Sequence, residues 1–231
     1  MKRFYSMAEV AERNGGFTVV LDGRPVRTPA KASLSLPTRA LAEAVAEEWR
    51  AQEEEIRPQS MRLMRLAVTA IDRVSRQRDA VIEEIAAYAA TDLVCYRAEQ
   101  PASLAARQQA AWQPLVDWAA RRYDARLRVT AGLMPVQQPQ AATGALRSAV
   151  AVLDDMMLTG LHNATAACGS AVIALALAEG RVGPDEAWEL SLVDETFQVE
   201  QWGEDGEAAR RHQALREDIA SAARFMELSR P

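Results

Sequence analysis

This chain has very little of what most enzymes and secreted proteins are built on. Its 231 residues include two cysteines, two histidines and two lysines. Two cysteines cannot staple a chain this long, so a disulfide framework is excluded. Cys95 and Cys168 lie in apolar stretches and read as reduced core thiols. His162 and His212 have no Cys or His neighbour at zinc-ligand spacing, so no resident metal is expected. Lys2 and Lys31 follow no glycine-rich turn, and no G-x-G-x-x-G follows a strand. A phosphate or dinucleotide cradle is therefore not expected, and no cofactor is implied. Gly169-Ser170 lies in an apolar helical stretch, not on a nucleophile elbow. Long hydrophobic runs are missing too. The longest, Ala171–Ala178, falls far short of the roughly 20 residues that span a bilayer, so no membrane insertion is expected. The opening MKRFYSMAEV has neither the apolar run of a signal peptide nor an Arg/Ser-rich leader. The expectation is a cytoplasmic protein, or a mature matrix form from which a leader has been removed.

What is present suits a large folded core. Hydrophobic residues make up 49% of the chain and charged residues 26%. A net charge of -5 argues against a general nucleic-acid binder. Nearly all the basic residues are arginine, a planar donor that pairs well with carboxylates.

Residues 3–36 read as β. Asn14-Gly15-Gly16 is a turn, Phe17–Leu21 a strand, and Asp22-Gly23 a hairpin signal. Arg24–Thr28 should pair back, and Ser33–Leu36 alternates as a further strand. Strands this short need something helical to pack on. From Pro37 the period becomes 3.6. Thr38 can cap a helix with Leu41, Ala44, Val45, Glu48 and Trp49 on one face, and Ser60 can cap a second. A third spans about Arg78 to Ala90. Ser103 opens another, which Pro114 kinks or divides. Gly132–Pro139 is a loop. Helices are expected over Ala141–Leu158, over Leu161–Ala178, from Pro184 to Gly203, and over Glu207–Leu228. The fold class is α+β: a small N-terminal antiparallel β domain, residues 1–36, followed by a larger multi-helix domain, residues 37–231.

The most informative stretch is Ser191–Asp205, SLVDETFQVEQWGED, with five acids among large apolar residues. On one helix beginning near Trp188, residues Trp188, Leu192, Val199 and Trp202 share a stripe, and Glu195 falls inside it. A carboxylate there is costly unless paired. It either meets an arginine of a neighbouring helix or waits for a partner chain. Acid and aromatic together form a common interface anchor. Trp49, Trp112 and Trp188 follow apolar spacing and read as core. Trp202, beside Gly203, reads as exposed. Glu53-Glu54-Glu55 reads as a solvated helix end. An enzymatic alternative is a small hydrolase or lyase whose carboxylates converge from two helices, Glu195 with a second acid such as Asp92. A permanent subunit of a larger complex is a third class.

Several segments, in order, carry a family resemblance. They are KRFY at the start, GGFTVVLDGRPVRTP, ALAEAVAEEW, TDLVCYRAE at Thr91–Glu99, the W-x-P-L-x-x-W of Trp112–Trp118, and DETFQVEQWG at Asp194–Gly203. Together they resemble the assembly chaperones of the F-type ATP synthase that handle the alpha subunit. The resemblance implies an ATP-independent chaperone and not an enzyme. It implies a small β domain before a helical one, and a client, the unassembled F(1) alpha subunit, whose beta-facing surface is masked until assembly. It also implies an essential acid in the C-terminal helical part, carried by position to Glu195, with Asp194 and Glu200 as other registers and Trp202 beside them. A bacterial cytoplasmic monomer is expected.

Overall fold

The computed structural model describes residues 1–13, 15–132, 134–203 and 205–230. Asn14 and Glu204 lie outside them, so the turn assigned to Asn14 and the Glu204-Asp205 pair do too. The fold is α+β, as the hydrophobic periodicity predicts. The chain forms two compact units. One comprises Met1–Arg78, Asp154–Gly160 and Arg224–Pro231, the other Asp79–Leu153 and Leu161–Ala223.

In the first unit, β1 (Ala8–Arg13), β2 (Gly16–Leu21) and β3 (Arg24–Pro25) form an antiparallel sheet in that order. The register runs from Ala8 opposite Leu21 to Arg13 opposite Gly16. Asp22 and Gly23 close the second hairpin with φ of 47° and 78°. Two successive positive φ values match the right-handed twist of the strands. The Asp22 carboxylate accepts from the backbone N–H of Met7 at 2.8 Å and of Ser6 at 3.1 Å. These hydrogen bonds hold its pKa below the ordinary value. β3 is shorter than Arg24–Thr28 predicts, and Ser33–Leu36 makes only isolated bridges, Arg27 with Ser33 and Phe17 with Leu36.

Helix α1 (Arg39–Arg50) starts at the Thr38 cap, whose hydroxyl accepts from the Leu41 N–H at 3.1 Å. Its Leu41, Val45 and Trp49 are buried in a cluster with Val19, Leu21, Leu34 and Leu36 of the sheet region. That is the helical cover the short strands require. Helix α2 (Arg62–Asp72) has no side-chain cap of its own. Ser60 does not cap it. Glu48 of α1 does, its two carboxylate oxygens accepting from Leu63 N–H and Met64 N–H, each at 2.8 Å. An acid on the inner face of α1 is thereby satisfied by the orphan amides and positive end of α2.

The second unit is mainly helical. It contains most of α3 (Arg78–Ala90), then α4 (Ala102–Tyr123), a parallel pair of β4 (Tyr96–Arg97) and β5 (Thr130–Ala131), and α5 (Gln140–Ala151). It holds part of α6 (Asp155–Cys168), α7 (Ala171–Ala178), α8 (Pro184–Ser191), α9 (Val193–Trp202) and most of α10 (Gly206–Ser229). Pro114 neither divides nor ends α4.

The expected helix over Ala141–Leu158 is split between α5 and α6, and the expected helix over Leu161–Ala178 between α6 and α7. The second break is local chemistry. Gly169 takes φ 64°, and Ser170 accepts from the Ile173 N–H to start α7 afresh. All eight residues of α7 are buried. Among the described residues no helix is long and apolar enough to cross a membrane.

Candidate functional site

The acidic segment is two helices, not one. Leu192 leaves helical geometry at φ -117°, ψ 21°, between α8 and α9. The Ser191 hydroxyl donates to the Trp188 carbonyl at 2.8 Å, and the Leu192 N–H bonds the Glu189 carbonyl, which tightens the last turn of α8. The continuous stripe from Trp188 to Trp202 therefore does not form, because the break resets the helical phase. Trp188 is half-buried, its indole N–H donating to the His212 carbonyl at 3.0 Å and the Arg216 guanidinium lying 5.4 Å from its ring.

The three acids of α9 have different environments. Asp194 accepts from the Gln108 side-chain amide at 2.6 Å. Gln108 is buried, and its carbonyl oxygen accepts from the Ala98 N–H at 2.6 Å, so the amide bridges α9 to the strand-side backbone. Glu200 is exposed and meets Arg107 in a two-pronged pair at 2.7 and 2.8 Å. The bidentate hydrogen bonds hold the Glu200 carboxyl below its ordinary pKa and raise that of Arg107. Glu195 is half-buried, and no hydrogen bond or ion pair joins its carboxylate to another described residue. The arginine pair considered for Glu195 is made by Glu200 instead. Trp202 ends α9 with 79% of its surface exposed, just before Gly203 at φ 85°. A large exposed indole two turns along the same helix from an uncompensated acid is unusual on a monomer surface.

Trp112 anchors this region from below. It is buried, donates its indole N–H to the Leu190 carbonyl at 2.8 Å, and carries the Arg97 guanidinium 5.3 Å from its ring. Gln108 and Arg107 were not singled out from the sequence. A signal for Gln108 existed: it interrupts an otherwise apolar run on α4, Leu104, Trp112, Leu115 and Ala119, at helical spacing. A polar residue in such a run must find a buried partner.

Asp92 is fully buried and accepts from the Ser170 hydroxyl at 2.5 Å and the Val172 N–H at 3.1 Å. It is engaged at the start of α7, bonded to the capping Ser170 and to a first-turn amide. Burial pushes its pKa up to about 6 despite these bonds. Cys95 and Cys168 are free and buried, and burial, reinforced by Asp92, drives both thiols up to about 12. They are inert thiols. Among the described residues no group of three or more His, Cys, Asp or Glu could hold a metal ion.

Residues 2–120 match the sequence profile of the family described as ATP12 chaperone protein. A curated relative, the mitochondrial protein atp12 of Schizosaccharomyces pombe, is 22% identical over 96% of this chain and 81% of its own length. The crystal structure of Atp12 from Paracoccus denitrificans is 43% identical, with a TM-score of 0.96 over 99% of this chain and 98% of that one. A single-substitution mutant of the Paracoccus protein superposes equally well, with a TM-score of 0.96 at 42% identity. The order of segments, the α+β architecture and these likenesses agree: the chain belongs to the ATP12 chaperone family.

Proposed function

We propose that the chain is an ATP-independent assembly chaperone of F1-ATPase that binds the unassembled alpha subunit and covers the surface beta will later take. It acts as a bacterial cytoplasmic monomer, and its likeness to the Paracoccus denitrificans protein supports the bacterial part of that reading. One observation carries the site. Of the three acids on α9, Asp194 and Glu200 are bonded within the chain, while Glu195, half-buried, has no partner among the described residues. A carboxylate so placed is satisfied when a cationic group of another chain arrives. Trp202 supplies the apolar anchor two turns along the same helix, and Asp194 and Glu200 hold α9 against α4 so that Glu195 and Trp202 keep their geometry.

An isolated alpha subunit exposes a large apolar surface, which is an aggregation hazard. A chaperone for it needs fast capture and modest affinity, which charged anchors provide. Beta displaces it through a larger and better packed interface. The test is a pull-down with purified alpha. The chain should retain alpha and release it when beta is added. Glu195→Lys should stay folded by circular dichroism and lose capture. A wild-type chain that ignores alpha refutes the function. A Glu195→Lys chain that unfolds refutes the site, since the acid would then be structural.

A further inference from the structure

The second unit carries a groove of about 690 Å³ between α4, the Arg181-Val182 turn, α8 and α9. Its floor is apolar: Ala111, Pro114, Leu115, Val182 and Trp188. Its rim is charged by Arg107, Arg181, Glu186 and Glu189. Arg107 is already neutralised by Glu200. Glu186 and Glu189 are exposed, and neither has an ion pair among the described residues. Glu189 lies in the last turn of α8, where the negative end of the helix dipole disfavours an acid. Arg181, exposed on the same rim, is in no ion pair among the described residues, so the rim sets two carboxylates against one uncommitted guanidinium. Pro114 adds a backbone feature. It has no N–H to give the Ala110 carbonyl, and both residues line the groove. The groove thus combines an apolar floor with a rim whose uncommitted charges are two carboxylates and one guanidinium, a net of one negative charge.

We infer that this groove seats a segment of the unassembled alpha subunit in which apolar side chains are flanked by arginine or lysine. The apolar side chains fill the floor beside Trp188 and Leu115. The cationic groups meet Glu186 and Glu189. This rests on the reading of the chain as a chaperone for alpha, and extends its client surface from α9 onto α8 and α4. The occupant follows from charge complementarity: an acidic segment would meet two unpaired carboxylates, and a purely apolar one would leave them without partners.

The experiment measures binding of purified, unassembled alpha to the full chain at low and moderate ionic strength. The wild type should weaken with added salt. The double variant Glu186→Lys/Glu189→Lys should bind about tenfold weaker or worse and lose part of its salt dependence, the part that Glu195 does not supply. Ala110→Trp, which fills the groove from an exposed position, should weaken binding while keeping the salt dependence. Should Ala110→Trp unfold, the double charge reversal alone decides. Unchanged affinity in a folded double variant, while Glu195→Lys still abolishes capture, overturns the groove and leaves the proposed function standing. A wild type that does not bind alpha overturns both. Concentration-dependent dimerisation of the chain, abolished by the same variants, assigns the groove to a second copy and also overturns the inference.

Discussion

Asp92 offers the sharpest physical test of the helical unit. Two effects oppose each other at its carboxyl. Burial disfavours the charged form, while the Ser170 hydroxyl and the Val172 and Val94 amides stabilise it. Burial wins, and the folded-state pKa rises from 3.8 to about 6. A raised acid binds its proton more tightly when folded, so stability is greatest at low pH and is lost as pH rises through the window from 3.8 to about 6. At 1.36 kcal/mol per pH unit, ionising Asp92 costs the folded chain about 3 kcal/mol once the window is passed. Other carboxylates titrate in the same range, so the measurement must be a difference. Urea unfolding of the wild type and of Asp92→Ala, followed by circular dichroism between about pH 4 and about pH 8, supplies it. Asp92→Ala should be destabilising at low pH, because Ser170 and the first amides of α7 lose a buried acceptor. That deficit should shrink by about 2 kcal/mol toward pH 8, as the wild type bears the growing cost of its own charge. A deficit that stays constant, or grows with pH, refutes the reasoning. It would mean that the helix N-terminus outweighs burial and that Asp92 is ionised at no cost.

Glu48→Ala should destabilise the first unit by about 0.5–2 kcal/mol in urea unfolding, since the Leu63 and Met64 amides lose their shared cap. Trp112→Phe should cost about 1–3 kcal/mol, because the buried Leu190 carbonyl loses its donor at 2.8 Å. The same substitution should weaken the seating of α8 on α4, read as faster amide exchange over residues 184–191.

Much of the fold was legible because it is written in local patterns. The Asp22-Gly23 turn, the Thr38 cap, the span of α3, and the core roles of Trp49 and Trp112 all follow from period, propensity or turn chemistry. Helix boundaries were less legible where periodicity continues through a break. Gly169 and Leu192 interrupt apolar repeats that run on without a phase change large enough to see. Pro114 shows the reverse: a strong local breaker overridden by packing on both sides of α4. Trp202 was legible as exposed because a glycine follows it at a helix end.

From the sequence alone came the fold class, α+β, and the gathering of aromatic and acidic residues on one C-terminal segment. Composition and spacing carry that information because they are properties of neighbours along the chain. Only the tertiary structure decided which acids are committed. Arg107 and Gln108 lie far from α9 in sequence, yet they engage Glu200 and Asp194 and leave Glu195 without a partner among the described residues. Likewise, Glu48 caps a helix it does not belong to, and Asp92 holds the start of α7. Whether a carboxylate is satisfied depends on distances of about 3 Å between segments that the fold alone brings together.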